Sequence, residues 1–143
     1  MIRLILMFLV TLTLAGTPAL AQVQLCDQTV PEAYMAANAA VPLLDQSGAP
    51  AKTELFRGDW VNGTCSGLVV RRSASEISYI YVQSKLNKDG AREQRVDHNR
   101  VAPLSTGGFT AEVPECSGMK LISEGINLRA SCGRFGTVLH RQQ

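Results

Sequence analysis

The stretch Ser66-Gly67-Leu68-Val69-Val70-Arg71-Arg72-Ser73-Ala74-Ser75-Glu76-Ile77-Ser78-Tyr79-Ile80-Tyr81-Val82-Gln83-Ser84-Lys85-Leu86-Asn87-Lys88-Asp89-Gly90 decides the fold. Two runs rich in Val, Ile and Tyr are separated by a short polar loop, and Asp-Gly follows the second. Such side chains pack well on a pleated surface, and Asp-Gly supplies the positive φ values that a tight hairpin turn needs. Three antiparallel strands in succession follow from this stretch and the residues after it.

The same alternation continues outward in both directions. Candidate strands cover 54–61, 66–72, 77–86, 92–101, 107–113, 117–123, 126–132 and 135–141, with turns at Asn62-Gly63, Ser73–Ser75, Asp89-Gly90, Thr106–Gly108, Glu124-Gly125 and Cys132–Arg134. No stretch after Glu54 sustains a helical period. The expected fold class is therefore mainly β: a small antiparallel meander barrel or sandwich of about eight strands with a short N-terminal helix.

Turn lengths set the register. A Ser73–Glu76 loop places Leu68 opposite Tyr81 and Val70 opposite Tyr79. A two-residue Asp89-Gly90 turn places Gln83 opposite Val96, Tyr81 opposite His98 and Tyr79 opposite Arg100. One face of this sheet then carries Leu68, Val70, Tyr79, Tyr81, Val96, His98 and Arg100. The other carries Gly67, Val69, Ile80, Val82, Asp97 and Asn99. Neither face is purely polar, which suits one side lining an interior and the other partly covered by the helix.

Before Glu54 the composition changes. Pro31-Glu32-Ala33-Tyr34-Met35-Ala36-Ala37-Asn38-Ala39-Ala40 reads as one helix ending before Pro42, because proline is tolerated in a first turn and alanine is the best helix former. Residues 45–53 read as a connector. At the N-terminus, Arg3, an apolar stretch from Leu4 to Leu14, and Ala19-Leu20-Ala21 have the order that signal peptidase reads, with the cut expected between Ala21 and Gln22. The apolar core is too short for a spanning helix, and Val23-Gln24-Leu25 before Cys26 lacks the small residues of a lipoprotein site. The expected domains are a signal peptide at 1–21, a helix and connector at 22–53, and the β domain at 54–143. The expected location is secreted or periplasmic.

Cys26, Cys65, Cys116 and Cys132 all follow the expected cut, so two disulfides are the default reading. No pair has zinc-site spacing, and no metal or cofactor is expected. A two-residue Glu124-Gly125 turn matches Met119 with Ala130 and Leu121 with Leu128. A three-residue Ser123–Gly125 loop sets Cys116 directly opposite Cys132. Both keep these two cysteines close, which favours Cys116–Cys132 with Cys26–Cys65 among the three possible connectivities. Once Arg3 is removed, 13 basic residues face 12 acidic ones without long runs, which gives no basis for nucleic-acid binding.

Phe56-Arg57-Gly58-Asp59-Trp60, at the start of the β region, resembles the G-x-W opening of the first strand in calycin barrels, the group that includes lipocalins and avidins. The resemblance implies a barrel in which Gly58 permits close packing and Trp60 plugs one end. It carries over no ligand residue, and avidin-type biotin sites use several tryptophans where this chain has Trp60 alone.

The candidate ligand-binding residues are Tyr79, Tyr81, His98 and Arg100, which would combine aromatic walls with a cation and an imidazole. The alternative is a solvated strand end at Asp97–Arg100 with ordinary tyrosine packing. His140 reads as an edge residue. Asn62-Gly63-Thr64 reads equally as a turn or a glycan acceptor. No G-x-S-x-G elbow occurs, and bridged cysteines would remove a thiolate nucleophile. The expectation is an exported binding module without catalytic activity, acting on a small ligand or a protein partner, without stable membrane insertion. An inhibitor of a secreted or periplasmic hydrolase, presenting a loop such as 102–108, and a small hydrolase are the alternatives.

Overall fold

The computed structural model describes residues 22–97, 99–113 and 116–143. The chain opens with β1 (Gln24–Leu25), β2 (Gln28–Thr29) and α1 (Glu32–Ala40). Nine strands follow: β3 (Thr53–Asp59), β4 (Cys65–Arg72), β5 (Glu76–Leu86), β6 (Arg92–Val96), β7 (Arg100–Pro103), β8 (Gly108–Val113), β9 (Cys116–Glu124), β10 (Asn127–Cys132) and β11 (Phe135–Gln142). The eight expected strands are all present, the fourth divided into β6 and β7.

These strands form one curled antiparallel sheet in the order β6-β5-β4-β3-β11-β10-β9-β8, with β7 also paired to β5. The ladder of β3 with β11 joins the first and last strands, so two meanders share one sheet. A gap remains mid-chain, between β5 with β7 on one side and β8 on the other. The result is a half-barrel. The hydroxyl of Tyr79 on β5 accepts the Glu112 N–H of β8 at 3.1 Å across this gap. That N–H lies at the irregularity between Ala111 and Val113 in the β8–β9 ladder, where a bulge leaves a residue out of strand pairing.

Alternate side chains of β4 and β5 build two cores. Leu68, Val70, Ile77, Tyr79 and Tyr81 point inward and join Phe56, Phe109, Met119, Leu121, Leu128 and Leu139. Val69, Ile80 and Val82 point outward, where Val23, Leu25 and Val30 cover them, with Tyr34 and Met35 of α1 alongside. This explains the lack of a polar face: both sides of the β4–β5 hairpin exclude water.

The covering segment is anchored at several points. The Cys26–Cys65 disulfide ties it to β4. Cys26 and Asp27 hold φ values of 51° and 61°, the paired positive values of a tight hairpin turn between β1 and β2. Sequence reading finds no hairpin here, because neither residue favours that conformation. Arg71 is 7% exposed, and its guanidinium donates to the carbonyls of Asn38 and Val41 at the end of α1 and to that of Ala51 shortly before β3. The Asn38 amide donates to Ser78 Oγ and Asn99 Oδ1, both at 2.7 Å.

Two registers differ from expectation. The β5–β6 turn is a three-residue loop closed by Asn87 N–H to the Ala91 carbonyl, with Gly90 at φ +79°, so Gln83 faces Arg95 and Val96 faces Val82. Val96 thereby belongs to the outer core. The break after Val96 restores one residue, so Arg100 does face Tyr79. Around Gly125, the turn is Gly125-Ile126 and Leu121 pairs with Ala130, two residues beyond the register of the two-residue turn and three beyond that of the three-residue loop. The ladder stops at Lys120 with Ser131, and Cys116 nevertheless bonds Cys132.

Candidate functional site

One end of the half-barrel is formed by the β3–β4 turn, the C-terminal ends of β8 and β10, and the N-terminal ends of β9 and β11. Trp60 stands there because Gly58 lets β3 press against β11: a Cβ at Gly58 would lie 2.5 Å from the Val138 carbonyl oxygen. The Trp60 indole N–H donates to Ser66 Oγ at 2.8 Å, and Ser66 Oγ lies 2.9 Å from the Tyr81 hydroxyl. This buried serine fixes two aromatic rings at their polar tips, leaving their apolar surfaces to form walls.

These walls enclose a cavity of about 550 Å³, also lined by Val61, Val113, Met119, Phe135 and the Cys116–Cys132 bridge. Its rim exposes apolar surface to solvent, with Val61 99% and Phe135 60% exposed. Polar contributions come from Asn62, Thr64, Gln83 and Arg134. The buried Thr64 Oγ1 has no hydrogen-bond partner among the described residues. Volume, aromatic lining and few polar groups match what small-molecule sites require.

The structure distributes the candidate ligand residues over different places. Tyr81 lines the cavity. Tyr79 lies in the inner core, its ring 5.7 Å from that of Phe109, and burial pushes its phenol above the ordinary value. Arg100 is exposed on β7. His98 lies outside the described residues, as do residues 1–21 with the expected signal peptide. Asp97 is buried and pairs through Oδ1 with Arg95 Nε at 3.0 Å. His140 is exposed on β11 opposite Arg57. Residues 102–108 are tied down, with Leu104 N–H bonded to the Ser75 carbonyl and Ser105 paired with Gly108.

Sequence reading named Tyr81 as a ligand candidate and Trp60 only as a plug at one barrel end, and it missed Met119, Arg134 and Phe135. The available signal was the disulfide: Cys132 precedes the β10–β11 turn, so whatever follows that turn stands beside Cys116. Among the described residues, no group of three or more His, Cys, Asp or Glu side chains is placed to hold a metal ion. No helix of the described residues is long and apolar enough to cross a membrane. No protein-family model, curated protein or solved structure matches the chain.

Proposed function

We propose that this chain is an exported, non-catalytic binding module whose small-molecule ligand occupies the end cavity between Trp60, Tyr81, Met119 and Phe135. The observation that carries this reading is the cavity of about 550 Å³ with aromatic walls fixed by Ser66. The two disulfides fit an oxidising compartment, which supports export. The close approach at Gly58 and the position of Trp60 support the calycin-like reading of Gly58-Asp59-Trp60.

Trp60 is the single tryptophan, so its fluorescence reports on the cavity directly. Titration with the neutral probe N-phenyl-1-naphthylamine is expected to quench Trp60 saturably with one site per chain. Phe135→Ala should weaken binding at least fivefold while the far-ultraviolet circular dichroism stays unchanged. Non-saturable quenching, or equal affinity in the variant, would remove the binding reading.

A further inference from the structure

We infer that the ligand of this cavity is an amphiphile with an apolar or aromatic body and one anionic group, held at the rim by Arg134; the inference rests on the binding reading above. Arg134 is the sole charged side chain among the described residues lining the cavity. It sits in the two-residue turn between Cys132 and Phe135, directly after a cysteine bridged to Cys116. The turn is therefore held at its base by a covalent link and by the β10–β11 ladder.

The guanidinium lies over the Phe135 ring, 5.2 Å from its centroid. A cation–π contact of this kind engages the ring and does not use up the N–H donors of the guanidinium. Those donors match a carboxylate, sulfonate or phosphate, which can accept two parallel charge-assisted bonds. A cationic ligand would meet an unfavourable charge at the same place. A neutral one would fill the apolar space and leave the donors to water. The rim thus favours an anionic head outside and an apolar body inside.

The test compares 8-anilinonaphthalene-1-sulfonate with N-phenyl-1-naphthylamine, which share the arylamine body and differ by the sulfonate. Energy transfer from Trp60 is followed in the full exported chain. The sulfonate probe is expected to bind about tenfold more tightly in low salt, an advantage that shrinks at high ionic strength because the rim charge is solvent-exposed. Arg134→Gln should bring the affinity ratio close to one, and Arg134→Lys should restore part of it. Arg129→Gln, which removes a cation paired with Glu124 on β9, should leave the ratio as it was.

Equal affinities in the unaltered protein, or a ratio unaffected by Arg134→Gln, would overturn the anionic assignment while leaving the cavity a binding site. Failure of both probes would overturn the binding reading as well. Monomeric dodecanoate should displace the sulfonate probe. Displacement by phosphatidylglycerol vesicles and not by dodecanoate would assign the anion to a membrane surface and overturn the proposal of a free ligand.

Discussion

Tyr79 and Tyr81 leave the same face of β5 two residues apart and end in different halves of the interior. Tyr79 stands in the filled half among Ile77, Phe109, Leu121 and Leu139, where its hydroxyl bridges the gap to β8. Tyr81 stands in the open half, where its hydroxyl meets Ser66 and its ring borders empty volume. The filled half is held by side-chain volume. The open half gives up that volume, and its strands are instead fixed by the Ser66 hydrogen bonds and the Cys116–Cys132 bridge. A single alternating pattern can therefore build a packed core and a receptive cavity in one sheet, provided covalent and polar links take over where packing stops.

The sharpest way to break this comparison is to remove one phenyl ring from each half. Phe109→Ala should cost about 3–5 kcal/mol, the usual penalty for emptying a packed aromatic site. Phe135→Ala should cost less than about 1 kcal/mol, because most of that ring already meets solvent. Urea denaturation of the two variants measures both. Similar losses would mean that the halves are not packed differently.

The disulfides give a smaller contrast. The Cys26–Cys65 bridge spans 39 residues and Cys116–Cys132 spans 16. On chain entropy alone, their removal by paired Cys→Ser substitutions should cost about 4 and about 3 kcal/mol respectively. Binding should rank them in reverse. Loss of Cys116–Cys132 opens a cavity wall and should weaken N-phenyl-1-naphthylamine binding severalfold. Loss of Cys26–Cys65 loosens the outer cover and should leave that affinity within about twofold. The opposite ranking in binding would show that the N-terminal cover, and not the bridge, shapes the cavity.

The strands were legible because burial on alternate positions leaves a period-two record, and the β4–β5 hairpin records it on both faces. The turns were less legible. Gly125 can serve as either central residue of a tight turn, and the structure uses it as the first, so the exposed Ile126 joins the turn instead of the strand. Around Asp89-Gly90 the loop is one residue longer than the shortest hairpin, and the break after Val96 cancels the offset. Tyr79 opposite Arg100 was therefore expected correctly beside an incorrect partner for Gln83. The β1–β2 hairpin left no trace, since its turn depends on Cys26 and Asp27 in a conformation they rarely adopt. The cavity was half legible. Trp60 and Tyr81 stand out by residue type, whereas Met119, Arg134 and Phe135 reach it only through the disulfide and the curl of the sheet.

The smallest effects separate the two hydroxyls themselves. Tyr79→Phe removes the acceptor of the part-buried Glu112 N–H and should cost about 1 kcal/mol at neutral pH. Tyr81→Phe leaves Ser66 still accepting from Trp60, and should cost less than about 1 kcal/mol. The alkaline limb distinguishes Tyr79 further. Burial raises its phenol above the ordinary value of 10.0, so the folded state holds this proton more tightly than the unfolded chain does. The associated stability is fully present below pH 10 and is lost as pH rises through the higher folded value. Tyr79→Phe removes that titration, and its stability should fall less steeply above pH 10 than that of the unaltered protein. Parallel alkaline limbs for the two proteins would show that the Tyr79 proton is not held more tightly in the folded state, and would count against a filled half that excludes water at the gap.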